Sequence, residues 1–113
     1  MKYKRGEIVL AEFPFTDGTG AKQRPVLILS PASTTYNDYL VMFISSQLSN
    51  AELDDVILLP DDIEFQKTGL NKPSVFKLLK LTTLSETLIL GVLGEVSSTF
   101  FLGLVRRLIN KLT

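Results

Sequence analysis

The sequence contains no cysteine and no histidine. Without cysteine, the chain can form neither a disulfide framework nor a zinc–thiolate site. Without histidine, a transition-metal site would have to consist of oxygen ligands alone, so we expect neither a metal nor a cofactor. The same two absences exclude Cys–His and Ser–His catalysis, which are the two commonest ways to activate a nucleophile.

Long apolar runs are also lacking. No segment approaches the length of about 20 apolar residues that a membrane-spanning helix requires. The basic N-terminal segment, residues 1–6 (MKYKRG), is not followed by the apolar region and small-residue cleavage site of a signal peptide. The sequence therefore predicts a cytoplasmic protein with no membrane partner.

Net charge is absent as well, because twelve basic residues balance twelve acidic ones. The field of the whole molecule would not attract nucleic acid, so any phosphate-binding surface must be a local patch. The charges are distributed unevenly along the chain. Acidic residues concentrate between positions 52 and 64, and basic residues concentrate at positions 67–80 and 106–111. This segregation could give a positive face, although solvated loops would produce the same pattern.

The hydrophobic pattern predicts short strands followed by one helix. β-Branched and aromatic residues concentrate in the predicted strands, and a single helical turn is predicted within residues 61–70. From Ser97 or Ser98 onward the apolar residues recur at helical spacing. We expect one domain over residues 1–113, of the α+β class but mainly β, forming a small, strongly curved β-barrel with a C-terminal α-helix. The predicted strands cover residues 7–13, 26–30, 39–46, 56–59, 74–81 and 88–93.

Two local features accompany these strands. Alternation over residues 74–81 predicts that Lys77 and Lys80 face outward, as exposed strand lysines usually do. Gly91 interrupts the last strand, where we expect a bulge or bend.

The segment 22–30 (KQRPVLILS) places an arginine beside a strongly apolar strand. Proline lacks a backbone N–H and favours an extended conformation in the residue before it, so Arg24 is predicted to lie at a fixed strand entrance. A guanidinium held there would suit a phosphate, to which it can donate two parallel hydrogen bonds. An ordinary surface arginine at a strand end is the alternative interpretation.

Several blocks of the chain, taken in order, resemble the MazF/PemK family of toxin–antitoxin ribonucleases. A glycine, an acidic residue and an apolar strand open the chain, and an Arg-Pro pair precedes the next strand. The third strand ends in two hydroxyl residues and a glutamine, where the family has a similar hydroxyl pair. The resembling blocks are residues 5–10 (RGEIVL), 24–27 (RPVL), 45–47 (SSQ), 68–75 (TGLNKPSV), 80–84 (KLTTL) and 90–94 (LGVLG).

The resemblance implies an SH3-like barrel, a homodimer and cleavage of single-stranded RNA at short sequence motifs. It also implies a cognate antitoxin protein that covers the RNA-binding surface. In the family reaction, the ribose 2′-hydroxyl attacks the adjacent phosphodiester and leaves a cyclic phosphate and a free 5′-hydroxyl. That reaction requires neither a metal nor an enzyme nucleophile.

The resemblance also assigns roles to residues. Arg24 would stabilise the negative charge that develops on the phosphate, and Ser45 would donate a hydrogen bond to the same phosphate. The alternative for Ser45 and Ser46 is a strand-end pair that satisfies loop backbone. The remaining candidates are predicted to bind substrate, and they are Asp17, Gln23, Ser46, Gln47, Lys72, Ser74 and Lys77.

The chain departs from the family at three places. Some members have a histidine before the Arg-Pro pair, where this chain has Gln23, and some have a carboxylate where it has Thr19. Other members show an acidic residue in the block after Gly69, where this chain has Pro73 and Ser74. The general base is therefore unassigned. Asp17 is a candidate for it, and a turn-forming aspartate beside Gly18 is the alternative.

Two other functions remain open from the sequence. The related CcdB toxins share the fold and inhibit DNA gyrase without catalysis, but a gyrase inhibitor has no need of a phosphate-binding pair such as Arg24 and Ser45. A catalytically weakened relative that only binds RNA or an antitoxin would fit the missing histidine and carboxylate.

Overall fold

The computed structural model describes residues 2–14, 18 and 20–113. Within these residues the chain forms six strands and one C-terminal helix, as the hydrophobic pattern predicts. Short 3₁₀ turns follow three of the strands, at Leu48–Asn50, Phe65–Thr68 and Glu86–Leu88. The strands are β1 (Glu7–Pro14), β2 (Ala21–Ser33), β3 (Asp38–Ser45), β4 (Val56–Leu58), β5 (Ser74–Ser85) and β6 (Ile89–Glu95), and the helix is α1 (Ser98–Leu112).

All strand pairs are antiparallel, and the sheet has the order β4-β5-β3-β2-β1-β6. The predicted mainly-β fold with a C-terminal helix is confirmed. The bulge predicted at Gly91 is confirmed too, since the β1–β6 register shifts between Gly91 and Ile89. β2 is longer than predicted, because pairing with β1 continues outward to the Pro14–Ala21 pair. Arg24 therefore lies inside a strand, opposite Ala11, and the prediction of a strand entrance is wrong.

Pro25 determines where β2 separates from β3. On the β1 side of β2, the Ile28 carbonyl accepts a hydrogen bond from the Gly6 N–H (2.9 Å). Because backbone groups alternate sides along a strand, the N–H that Pro25 lacks would face β3. Pairing of β2 with β3 accordingly stops at Val26 and Phe43. Residues 21–25 continue as a two-stranded ribbon with β1 alone.

β2 is buried on both faces over residues 26–29. Successive residues of β2 enter two different clusters, so Leu27 and Leu29 pack on one side and Val26 and Ile28 on the other. The first cluster lies beneath α1 and includes Leu104. Two apolar layers on one small sheet require that the sheet curve strongly.

Close contact between glycine and backbone completes this curvature. Gly94 of β6 lies against the turn Phe65–Thr68, so that a Cβ atom at Gly94 would overlap the Lys67 carbonyl oxygen. Gly69, which adopts a φ of +72°, lies equally close to the Leu93 carbonyl. The segment that follows β4 at one edge of the sheet thus contacts β6 at the other. The described strands do not form a β4–β6 ladder, so the barrel is approached but not closed.

α1 begins at a double cap. The Ser97 hydroxyl accepts a hydrogen bond from the Phe100 N–H (3.1 Å), and Glu64 accepts from both the N–H and the hydroxyl of Ser97 (2.7 and 2.6 Å). A side chain that satisfies the first N–H groups stabilises a helix by about 1 kcal/mol. The Phe100 ring then packs edge-on against Phe76 of β5, with ring centroids 5.2 Å apart. No helix of the described residues has the length and hydropathy to span a membrane.

Lys77 forms a buried ion pair, so the prediction that it faces outward is wrong. Its Nζ lies 2.6 Å from Asp55 Oδ2, and both side chains are less than a tenth exposed. The reason is a large bulge in β5: Met42 pairs with Leu81 and Ile44 with Phe76, which leaves residues 77–80 opposite one residue of β3. The bulge breaks simple alternation and turns Lys77 toward the segment before β4.

Hydrogen bonds stabilise the charged form of Asp55. Burial by itself would raise the pKa of this carboxyl, but hydrogen bonds from Lys77 and from the N–H groups of Glu52 and Leu78 outweigh it, and the pKa is lowered. The two backbone hydrogen bonds measure 2.9 and 3.0 Å.

Gly94→Ala should destabilise the fold strongly, because the added methyl group would overlap the Lys67 carbonyl. We expect a loss of about 2 kcal/mol or more in the free energy of unfolding, measured by urea titration. Gly91→Ala is the matched control in the same strand, since nothing lies within 4 Å of a Cβ there. Equal stabilities of the two variants would contradict the close contact.

The stability should also depend on pH through Asp55. Its folded-state pKa lies below the ordinary value of 3.8. The stabilisation is therefore present above that value and is lost as the pH falls through the lower folded-state pKa. Near neutral pH, Asp55→Asn should lose about 3–5 kcal/mol of unfolding free energy, because Lys77 stays buried without its partner.

Urea unfolding at a series of pH values checks this dependence. The difference between wild type and Asp55→Asn should be constant near neutral pH and should shrink below about pH 4. Asp54→Asn is the control, since Asp54 is 40% exposed in its pair with Lys111. A difference that stays constant through acid conditions would show that the carboxylate charge is not what stabilises the fold.

Candidate functional site

A cleft of about 870 Å³ opens where β2 and β3 separate. One wall is the β1–β2 ribbon, and the other is the end of β3 together with the residues that precede and begin β5. The floor is formed by side chains of the bulged part of β5. The lining residues are Phe13, Lys22, Gln23, Arg24, Pro25, Phe43, Ile44, Ser45, Ser46, Gln47, Asn50, Leu70, Asn71, Lys72, Ser74, Lys77 and Lys80.

The cleft brings together the candidates that come from distant parts of the sequence. Every predicted site residue that the structure describes lines it, and Asp17 lies outside the described residues. The residues in question are Gln23 and Arg24 on the ribbon, Ser45, Ser46 and Gln47 at the end of β3, and Lys72, Ser74 and Lys77 near the start of β5.

The charge of the cleft is of one sign. Among the described lining residues there are five cations and no carboxylate. The acidic residues at positions 52–64 lie outside this lining, so the segregation seen in the sequence becomes a local positive surface on a neutral molecule. The five cations are Lys22, Arg24, Lys72, Lys77 and Lys80.

The ribbon positions the first two cations. In the ladder with β1, Lys22 lies opposite Phe13 and Arg24 lies opposite Ala11. Residues two apart in a strand project on the same face, so Lys22 and Arg24 form a pair of neighbouring cations. Both are exposed, whereas Pro25 is partly buried at the base of the ribbon.

The hydroxyl group of Ser45 has a defined orientation. Its Oγ accepts a hydrogen bond from the Gln47 N–H (3.0 Å), which fulfils the expectation of a strand-end serine that satisfies loop backbone. A serine hydroxyl has one donor and two acceptor positions, so this contact leaves the Oγ–H proton available to a ligand. Ser45 can therefore have both roles that the sequence left open.

The hydroxyl of Ser74, unlike that of Ser45, donates its proton within the protein. Ser74 is buried, and its hydroxyl donates to the Lys72 carbonyl oxygen (2.8 Å). The Ser74 proton is therefore committed to the protein backbone. Lys77 is similarly committed, because its Nζ donates to both Asp55 and the Asn50 carbonyl oxygen (2.7 Å).

Two aromatic residues of the cleft were missed by sequence reasoning. Phe13 and Phe43 lie on either side of β2, and their rings are tilted by 59° with centroids 5.3 Å apart. Both are partly buried against the core and also line the cleft. Strand alternation carried the signal for one of them, since Phe43 is two residues from Ser45 and shares its face. Aromatic rings beside cations are typical of surfaces that bind unpaired nucleotides.

The arrangement provides cations and a hydroxyl donor that suit an anion such as a phosphodiester. Within residues 2–14, 18 and 20–113, no three Asp or Glu side chains lie close enough to hold a metal ion. Arg24 and the lysines supply charge, Ser45 supplies a hydroxyl donor, and the serine and amide groups at residues 45–47 supply polar contacts.

Comparison with known proteins shows the family and the fold of the chain. The sequence model of the PemK-like, MazF-like toxins of type II toxin–antitoxin systems matches residues 4–112. A mycobacterial endoribonuclease, solved in complex with its cognate antitoxin, is similar in structure with a TM-score of 0.65 and 20% identity. The alignment covers 97% of this chain and 94% of that one.

The toxin MazF-mt6 of Mycobacterium tuberculosis is similar to the same degree, with a TM-score of 0.65, 21% identity and coverage of 92% of this chain and 93% of that one. At these identities the structural likeness establishes the fold. No curated protein sequence matches this chain significantly. Because the family match spans nearly the whole chain, the protein belongs to the PemK-like, MazF-like toxins of type II toxin–antitoxin systems.

Proposed function

We propose that this toxin is a metal-independent endoribonuclease that cleaves single-stranded RNA at a short sequence motif. The observation that carries the proposal is the cleft itself, where Arg24 and Ser45 line one space together with four lysines and no carboxylate among its described residues. The activity in the name of the mycobacterial neighbour adds support.

The reaction begins with attack by the ribose 2′-hydroxyl on the adjacent phosphorus. Negative charge then develops on the two non-bridging phosphate oxygens. The planar guanidinium of Arg24 matches these oxygens with two parallel N–H donors, and its charge is always present. Ser45 donates its free Oγ–H to the same group while its Oγ stays fixed by Gln47. Donors that are already in position stabilise such a charge most effectively.

The flanking cations hold the RNA backbone. Lys22 lies on the β1–β2 ribbon, Lys80 lies in the bulged part of β5, and Lys72 lies in the segment that precedes β5. Each phosphate neutralised by a lysine releases a counterion, which gives affinity without sequence preference. Sequence preference comes from the unpaired bases, which polar side chains such as Gln23 and Gln47 can contact at their edges.

Asp17 stays a candidate for the residue that accepts the 2′-hydroxyl proton. It belongs to the segment that connects β1 to β2, and the flanking residues Phe13 and Lys22 both line the cleft. Proton acceptance by a positioned carboxylate contributes about 10²–10⁴-fold to such reactions.

The proposed partners follow from family membership and from the charge of the cleft. A cognate antitoxin would inhibit the toxin by covering the cleft. The mycobacterial neighbour was itself solved in complex with its cognate antitoxin. The functional unit would be a homodimer. A non-enzymatic gyrase inhibitor would require none of the phosphate-binding groups that meet in this cleft, which is why we favour the ribonuclease.

Removal of the Arg24 guanidinium should abolish specific cleavage. We expect Arg24→Ala to lower the cleavage rate about 100- to 1,000-fold, because one donor to the developing charge is lost. The measurement is end-mapped cleavage of a long single-stranded RNA in EDTA, with products that carry 5′-hydroxyl ends.

Arg106→Ala is the matched control, since Arg106 is an exposed arginine of α1 outside the cleft. Its cleavage rate should equal that of the wild type. Intact RNA with folded wild-type protein would contradict the proposal, and cleavage that only Mg²⁺ restores would contradict its metal-independent form.

Lys80→Ala should weaken RNA binding in a salt-dependent manner. The probe is an RNA oligonucleotide with 2′-O-methyl groups, which binds but cannot attack its own phosphates. We expect the slope of log Kd against log salt concentration to fall by about 0.7, the value for one phosphate of a single strand. Lys67→Ala is the control, because Lys67 is exposed outside the cleft. An equal slope for Lys80→Ala and wild type would remove Lys80 from the RNA path.

A further inference from the structure

Lys77 and Asp55 join the segment of residues 46–55 to β5 at two points. The Lys77 ammonium donates to the Asn50 carbonyl oxygen (2.7 Å) and to Asp55 Oδ2 (2.6 Å). Asp55 in turn accepts hydrogen bonds from the N–H of Glu52 (2.9 Å) and from the N–H of Leu78 in β5 (3.0 Å). One buried lysine and one buried aspartate thus fix both ends of residues 50–55.

Apart from the hydrogen bond from the Gln47 N–H to Ser45 Oγ at the end of β3, the segment 46–50 has few other contacts that hold it. The 3₁₀ turn Leu48–Asn50 contains no buried residue and has no side-chain cap. The hydrogen bonds at its two ends are local, from the Asn50 N–H to the Gln47 carbonyl (3.0 Å) and from the Ala51 N–H to the Leu48 carbonyl (3.1 Å). Apolar burial therefore cannot determine where this segment lies relative to the sheet.

The same segment forms part of the cleft wall. Ser46, Gln47 and Asn50 all line the cleft, and Lys77 lies beside them at its floor. The position of these polar groups relative to Arg24 on the opposite ribbon therefore depends on how residues 46–50 are attached. Within the described residues, the other side-chain attachment of residues 46–55 to a distant element is the exposed pair of Asp54 and Lys111 (3.0 Å).

A buried ion pair contributes little net free energy to a fold, because both charges lose their hydration on burial. An apolar pair of the same volume would give similar or greater stability. What the ion pair adds is a fixed geometry: an ammonium donates in two set directions, to a carboxylate and to a backbone carbonyl. This geometry suits a positioning function better than a purely stabilising one.

We propose that Lys77 is a positioning residue that acts through Asp55 and the Asn50 carbonyl to hold residues 46–50 in the conformation that binds unpaired RNA bases. The proposal rests on the ribonuclease function for the identity of the ligand. It replaces the direct phosphate contact predicted for Lys77 from the sequence. Lys77 thereby controls substrate affinity and not the chemical step, which belongs to Arg24 and Ser45.

The first test does not require activity. Amide hydrogen exchange in Lys77→Met should rise over residues 46–55 by about tenfold or more beyond the rise in β1 and β2, whose rates change only as far as the free energy of unfolding falls. Lys111→Met is the matched control, since it removes a lysine that pairs with Asp54 in the same segment but is 48% exposed. Such exposed pairs contribute little, so its exchange should equal that of the wild type.

The second test separates positioning from chemistry. Single-turnover and steady-state cleavage of an RNA oligonucleotide should show a KM raised about tenfold in Lys77→Met and a kcat within about twofold of wild type, as expected when the lost binding is equal in the ground state and the transition state. A lowered kcat with unchanged KM would overturn the proposal, because Lys77 would then act on the reacting atoms.

A double variant covers the case in which Lys77→Met does not fold. Asp55→Asn combined with Lys77→Met leaves no unpaired buried charge, and it should show the same local increase in exchange. Unchanged exchange over residues 46–55 in a folded variant overturns the proposal, and so does an equal increase over the whole sheet. If wild-type protein leaves RNA intact, the ribonuclease function fails, while the exchange measurement still decides whether Lys77 holds the segment.

Discussion

A single missing backbone donor determines where the site lies. Pro25 interrupts the ladder on the β3 side of β2, while the β1 side continues outward to Ala21. The two strands therefore part at Val26 and Phe43, and the cleft occupies the space between them. The same proline directly follows Arg24, so the residue that opens the cleft also restricts the Arg24 backbone to an extended conformation.

The positive charge of the cleft is balanced by acidic residues elsewhere in the molecule. The molecule has no net charge, yet its described cleft residues include cations without carboxylates. Lys77 is the exception among these cations, since its ammonium is neutralised by Asp55. Affinity for a polyanion therefore depends on the exposed cations, such as Arg24 and Lys80. The buried Lys77 instead holds residues 46–50 in the cleft wall. An acidic partner that covers this cleft would compete directly with RNA.

Much of the fold and most of the candidate site could be predicted from the sequence, for identifiable physical reasons. Apolar strands and the helix after Ser97 show their period directly in the pattern of residues. The first residues of β2 were missed because Lys22 to Arg24 are polar, and their strand conformation comes from pairing with β1. Lys77 was placed wrongly because alternation fails in the β5 bulge, which the sequence does not reveal. Phe13 belongs to β1 and Phe43 to β3, on either side of β2. Their ring contact depends on this strand order, which only the folded chain shows.

The central claim is that the cleft between β2 and β3 binds the phosphate that is cleaved. A crystal structure with an RNA oligonucleotide that carries 2′-O-methyl groups tests it most directly. We expect a phosphate in contact with both the Arg24 guanidinium and the Ser45 hydroxyl, with the adjacent bases against Phe43 and residues 46–50. RNA bound along α1, with this cleft vacant, would contradict it.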